Sequence, residues 1–286
     1  MERISIRPLM SLEDFRECER IQLEVWGALG EASEVLSVTA KYGGAVIGAF
    51  ASGKLAGFIY AFSARRRGQW IHWSHQMAVR PSHRDRGLGF RMKMVHRRMA
   101  LAAGIRSICW TFDPLESRNA TINIARLGGR AEEYVVNCYG NFASRIERGL
   151  PTDRFVVNWR IGSAEVARRL TRSGEHRLRP HTPVVNEVRA GRNGFIVNRR
   201  IHLGLGARRL LVEIPANTDE MRAKAIVLAR RWRKESRRIF RHYFSRGYQA
   251  VEFLPPSRDT GGRCFYVLQR NAVRPPDARE TAVRTS

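Results

Sequence analysis

The chain has 286 residues, 51 Lys+Arg against 26 Asp+Glu, and a formal net charge of +25. An AVILMFWYC share of 43% excludes a chain disordered throughout, glycines without a period exclude collagen, and 4 cysteines are too few for a disulfide scaffold. Only five basic residues are lysines (Lys41, Lys54, Lys93, Lys224, Lys234), and the excess is lopsided, 24 basic to 15 acidic residues up to position 160 and 27 to 11 beyond it.

In chain order, Ile4 and Ile6 mark a short strand that Pro8 ends. Ser11 then caps a helix with Glu13 and Asp14 in its first turn, and Phe15, Cys18, Ile21, Gln22 and Val25 share one face before Gly27 stops it. Ala45–Ala51 and Leu55–Phe62, separated by Ser52-Gly53-Lys54, read as a hairpin. The strand over 70–79 puts Ile71, Trp73, His75, Met77 and Val79 on one face by simple alternation. A helix over Leu88–Ala102 buries Leu88, Met92, Val95, Met99 and Ala102, and Gly104 caps it. A strand at Ser107–Phe112, a helix at Arg118–Leu127, and strands over 132–138 and 155–161 complete an α/β domain of residues 1–162.

Residues 163–194 form a basic linker with a short helix at Ala164–Leu170. Residues 195–270 form a smaller α+β region: a strand at Leu210–Ile214, one long helix over 219–246, and strands at Val251–Leu254 and Cys264–Leu268. That order echoes 107–139, as a degenerate half-repeat or as a docked extension. The Pro- and Arg-rich tail, 271–286, reads as disordered. The cysteines (Cys18, Cys109, Cys138, Cys264) include no C-x-x-C pair, so free thiols and no metal are expected. No apolar leader and no run of 18 apolar residues is visible, and a cytoplasmic protein is expected.

The informative segment is Met77-Ala78-Val79-Arg80-Pro81-Ser82-His83-Arg84-Asp85-Arg86-Gly87-Leu88-Gly89. A strand enters a loop whose glycines open a helix, where the first backbone N–H groups lack intrahelical partners and the dipole is positive. Gly87 and Gly89 let a phosphate approach those donors, and Arg84 and Arg86 offer guanidinium forks to the same anion. The spacing is neither G-x-G-x-x-G nor a P-loop.

Arg84-x-x-Gly87-x-Gly89 resembles the (Q/R)-x-x-G-x-(G/A) signature of the GNAT superfamily of N-acetyltransferases, which binds acyl-CoA. Two further blocks look like one predicted-acetyltransferase subfamily with W-T-F-D-P-L-x-S-x-N-A and L-P-T-D-R-F motifs: Trp110 to Ala120 and Leu150 to Phe155. Ser74-His75, Val25-Trp26-Gly27 and Asn137-Cys138-Tyr139-Gly140 are similar to that group's pattern too. The resemblance covers about 1–160 and implies a mixed, mostly antiparallel sheet flanked by helices, with strands four and five splayed around the pantetheine.

It further implies acetyl-CoA or another acyl-CoA as co-substrate, bound by Met77, Ala78, Val79, Arg84, Asp85, Arg86, Gly87, Leu88, Gly89 and Asn119. The activity implied is acyl transfer to the amine of a small metabolite or amino acid by direct attack, with a base removing a proton. His75, Glu116 and Tyr139 are the catalytic candidates, the first two with structural alternatives, a satisfied histidine and a turn or helix cap. The superfamily's tyrosine acid corresponds to Ile124, which donates no proton, so Tyr134, Tyr139 or solvent must serve. Asp153-Arg154 reads as an internal ion pair supporting its loop, and Cys109 as a core residue. The arginine excess favours an anionic acceptor or a succinyl donor, and a homodimer is compatible with everything read. Two other classes stay open: an acyl-CoA-binding module without catalysis, and a nucleic-acid-binding protein using the basic helix at Arg230–Tyr243, whose Trp232, Ile239 and Phe240 point instead to a core.

Overall fold

The computed structural model describes residues 3–28, 30–140, 150–171, 178–191 and 194–270. The expected disordered tail lies outside the described residues. Strand β1 (Ile4–Pro8) leads into α1 (Leu12–Trp26), whose first turn is closed by the Ser11 hydroxyl accepting from the Asp14 N–H at 3.1 Å. Gly27, at φ 75°, ends α1 with its N–H on the Leu23 carbonyl. A second helix, α2 (Ser33–Tyr42), follows without having been anticipated; its N-cap, Ala32, has no side chain to announce it.

Strands β2 (Gly44–Ala51), β3 (Lys54–Arg66) and β4 (Gln69–Val79) form an antiparallel meander. Helix α3 (Leu88–Ala102) crosses over to β5 (Ile108–Phe112), which lies parallel to β4. Then come α4 (Ser117–Ala120), continued by a π-helical turn over Thr121–Arg126, and strands β6 (Arg130–Val135) and β7 (Arg154–Trp159). Beyond these lie α5 (Ala164–Thr171), β8 (Asn186–Ala190), β9 (Ile196–Ile201), β10 (Arg209–Ile214), α6 (Thr218–Lys224), α7 (Ile226–Ser245), β11 (Tyr248–Leu254) and β12 (Cys264–Arg270). The single long helix expected over 219–246 is thus two, broken where Ala225 leaves helical geometry at φ −150°, ψ 60°.

Among the described residues ten strands join in one largely antiparallel sheet, in the order β1-β2-β3-β4-β5-β7-β6-β11-β12-β10, and β8 and β9 pair separately. Residues 195–270 therefore extend the sheet of the first 160. Leu88 and Met92 of α3 pack with Ile47 and Ile59 on one face, while Phe15, Cys18 and Ile21 of α1 pack with Val46 and Phe58 on the other. Alternate strand residues serve the two faces, as the pleat requires. On the α3 face, Trp110, Phe155 and Trp159 of the first part share one apolar cluster with Trp232, Phe240 and Tyr266 of the second. Phe155 lies 4.7 Å from Phe240 and 5.3 Å from Tyr266, ring centroid to ring centroid.

The two parts share a layout. In each, a strand is followed by helix and then by two strands, the last of which inserts between the others: β5-β7-β6 and β10-β12-β11. Each second strand has a register irregularity at the same place, Ala131/Glu133 in β6 and Ala250/Glu252 in β11, and Ala131 pairs with Ala250 where the parts meet. Among the described residues no helix is long and apolar enough to cross a membrane.

Candidate active site

The loop between β4 and α3 is assembled by conformations that its sequence allows. Arg80 ends the strand, with its N–H on the Ala56 carbonyl and its guanidinium on Glu17 and Glu24 of α1. Pro81–His83 make one 3-10 turn, and Gly87, at φ 73°, caps α3 in the left-handed region where a side chain is strained. A Cβ at Gly87 would meet nothing within 4 Å, and one at Gly89 would touch only the Met77 thioether at 3.4 Å. Open space therefore lies over the free N–H groups of the helix start, the shape that a phosphate needs. The Arg84 Nε–H donates to the Val79 carbonyl at 3.3 Å, and Asp85 lies 3.3 Å from Arg118 of α4. Asn119 is exposed on that same short helix.

The second feature is a fork. β4 and β5 pair only at His72↔Ile108 and Trp73↔Cys109; beyond Trp73 the edge of β4 from Ser74 to Val79 is not paired to β5. On its other side β4 pairs with β3 through a bulge, Ala61 opposite Ser74 and Tyr60 opposite Gln76, which leaves His75 as the extra residue. The bulge overturns the expected alternation. Ile71, Trp73 and His75 do not share a face with Met77 and Val79, which turn toward α3. His75 stays on the α1 side, its ring 6.0 Å from those of Tyr60 and Phe62 and its Nε2 3.4 Å from the Glu31 carboxylate.

Tyr139, 42% exposed, shares a 2.7 Å hydrogen bond between its hydroxyl and that of Thr111 on β5. Ile124, at the position of the missing tyrosine acid, is fully buried in the π-helical turn. Tyr134 donates to Asp153 at 2.6 Å; burial, then this bond and the carboxylate charge, drive its hydroxyl well above the ordinary phenol range. Asp153 is wholly buried and its ion pair is with Arg237 of α7, at 2.8 Å, in place of the pair expected with Arg154. Burial raises the Cys109 thiol to about 11, so it is a core residue.

Glu116 is brought together with neither His75 nor Tyr139 by any hydrogen bond among the described residues. It accepts from Arg222 of α6 at 2.5 Å, and Arg222 also reaches Asp219. Beside it, Arg233 of α7 forks onto Asp113, with one bond at 2.8 Å; both are buried. Burial opposes the Asp113 charge, but Arg233 outweighs it and holds the carboxyl below its usual range. Burial and the Asp113 charge together push Glu116 up to about 7. The expected helix-cap alternative for Glu116 is thus an ion network tying the start of α4 to α6 and α7.

Sequence reasoning missed the most unusual group near the fork. Lys93 of α3 is 2% exposed, its Nζ donating to the Ser74 hydroxyl at 3.0 Å and lying 3.9 Å from the Trp110 ring centroid. Behind it His72 and His96 stack, with Nδ1 and Nε2 3.0 Å apart. The buried stripe of α3 is Leu88, Met92, Lys93, His96 and Ala100, so the expected Ala102 is exposed and Val95 and Met99 only flank it. The available signal was a lysine beside Met92 in a chain with only five lysines among its 51 basic residues.

Residues 10–128 match the model of the acetyltransferase (GNAT) family. No curated protein matches the chain. Among solved structures, the chain is similar to an acetyltransferase of the GNAT family from Streptococcus pneumoniae, at 17% identity and TM-score 0.45, over 55% of this chain and 98% of that one. The ribosomal-protein-S18-alanine N-acetyltransferase from Escherichia coli is 15% identical, at TM-score 0.45, over 57% and 96%. Arabidopsis thaliana Naa50, solved with the bisubstrate analogue CoA-Ac-MVNAL, is 12% identical, at TM-score 0.45, over 54% and 97%.

Proposed function

We propose that the protein is an acyl-CoA-dependent N-acyltransferase that moves an acyl group, acetyl in the simplest case, to the amine of a small acceptor. Two observations carry this: open space at Gly87 and Gly89, at a helix start whose first N–H groups have no intrahelical partner, and a β4 edge that β5 leaves unpaired from Ser74 to Val79. The first suits a pyrophosphate and the second an extended amide chain that adds to a strand edge. The match of residues 10–128 to the family supports the same reading.

Under this proposal the acceptor approaches from the α1 face, where His75 of β4 meets Glu31 and Thr111 of β5 meets Tyr139. His75, oriented by Glu31, is the base that we assign to the acceptor ammonium. Titration calorimetry with acetyl-CoA, and with Gly87→Val and Arg84→Ala, tests the binding step. Binding to the wild type that weakens about tenfold or more in Gly87→Val is expected; equal heats for wild type and variant would refute the assignment of the loop. A free-thiol assay over amino acids and polyamines then tests transfer.

A further inference from the structure

The buried lysine calls for its own account. The chain has 51 Lys+Arg and only five lysines, yet Lys93 takes a position 2% exposed, with a hydroxyl and an aromatic ring as its partners. An arginine there would stay charged at every accessible pH; a lysine can give up its proton. Its surroundings are Ser74 and His72 from β4, Trp110 from β5 and His96 from its own helix, none of them a carboxylate. Burial lowers its ammonium to about 7. Ser74 and Trp110 are the first residues of β4 and β5 past the last pair, Trp73↔Cys109, so the Lys93 Nζ sits at the floor of the fork. The indole N–H of Trp110 is buried there with no acceptor among the described residues.

Resting on the function proposed above, we infer that Lys93 is the proton donor to the thiolate that leaves in the fork, in the place of the tyrosine that Ile124 cannot supply. As the acceptor nitrogen bonds to the acyl carbon, the C–S bond breaks and its electron pair stays on sulfur. The sulfur takes a proton from the Lys93 ammonium, the acceptor nitrogen loses one to base, and solvent reprotonates neutral Lys93. A thiolate beside Lys93 favours the ammonium and the ammonium favours the thiolate, so the two groups share one proton as the C–S bond breaks. Arginine at this place would hold the thiolate without protonating it.

The test needs no acceptor. Coenzyme A and desulfo-coenzyme A, which lacks the thiol, are each bound to the protein, and the bound thiol is titrated by the ultraviolet absorbance of its thiolate. In the wild type we expect the midpoint to fall at least about one unit below the ordinary 8.5, because an ammonium lies beside it. In Lys93→Met the midpoint should return to the free value or above, while desulfo-coenzyme A binds both proteins equally. A wild-type midpoint equal to that of free coenzyme A overturns the role of Lys93 even if the variant does not fold, and so does a lowered midpoint that survives in Lys93→Met. Failure of both ligands to bind the wild type instead refutes the acyl-CoA reading itself, and this inference with it.

Discussion

At the scale of single residues, the molecule is held by charges that it has removed from water. Asp113 and Arg233 are both buried and bonded through two nitrogens of the guanidinium. Removing one member strands the other, so Arg233→Met should cost about 3–5 kcal/mol in urea unfolding, whereas replacing both members with apolar residues should cost much less. Lys93 acts through pH. Its folded value is about 7 against an ordinary 10.5, so between those values the unfolded chain holds a proton that the native state does not. Lys93 therefore makes native stability rise with pH across that window. Urea unfolding at pH 7, 8 and 9 should show this rise in the wild type and less of it in Lys93→Met; parallel curves would mean that Lys93 stays charged. His96, held well below 6.5 by burial and then by Lys93 and His72, adds a loss of stability as pH falls below 6.5.

At the scale of elements, what the sequence revealed depended on how regular each element is. The β2–β3 hairpin, α1, α3 and β5 all have strong periodicity or a capping residue, and they lie where the pattern placed them. The loop at Gly87–Gly89 was legible too, because glycine at a helix start is a local signal. Helix α2 was not, having an alanine at its N-cap, nor were β8 and β9, where Asn186–Ala190 and Ile196–Ile201 lack clean alternation. The bulge at His75 changes which face each later residue serves, and only the partner strand reveals it. Lys93 was hidden for a related reason: burial of a charge is a tertiary fact. The prediction at this scale concerns Gly87. Gly87→Val forces a β-branched residue to φ 73° and should destabilise the start of α3 by about 1–2 kcal/mol, measurable as a lowered melting temperature without ligand. An unchanged value would mean that the loop rearranges freely.

At the scale of the whole molecule, the second part completes the first. Arg222, Arg233 and Arg237 of α6 and α7 neutralise Glu116, Asp113 and Asp153. Part of the arginine excess after position 160 is therefore internal, which removes those side chains from any polyanion-binding surface. A chain ending at residue 162 would lose all three partners and expose Trp110, Phe155 and Trp159. It should bind a hydrophobic dye and lack near-ultraviolet dichroism, the marks of lost tertiary packing. A cooperative, dye-silent fold of residues 1–162 would contradict this. The layouts of β5-β7-β6 and β10-β12-β11 match, including the place of their irregularities in register.

The meeting of Ala131 and Ala250 carries a consequence for solubility. A sheet ending at β6 would offer a row of unclaimed backbone donors and acceptors to any passing strand, an invitation to aggregate. β11 occupies that border, and the far border at β10 is in turn covered by the segment at Pro183–Val185, which exchanges bonds with Leu211 on both its N–H and its carbonyl. The second part thus works as a stopper for the first, and its own rim at β10 is covered by a short length of the connecting chain. Mutations that loosen Pro183–Val185 should therefore reveal themselves first as self-association at high concentration, before any loss of ligand binding, and light scattering would detect it.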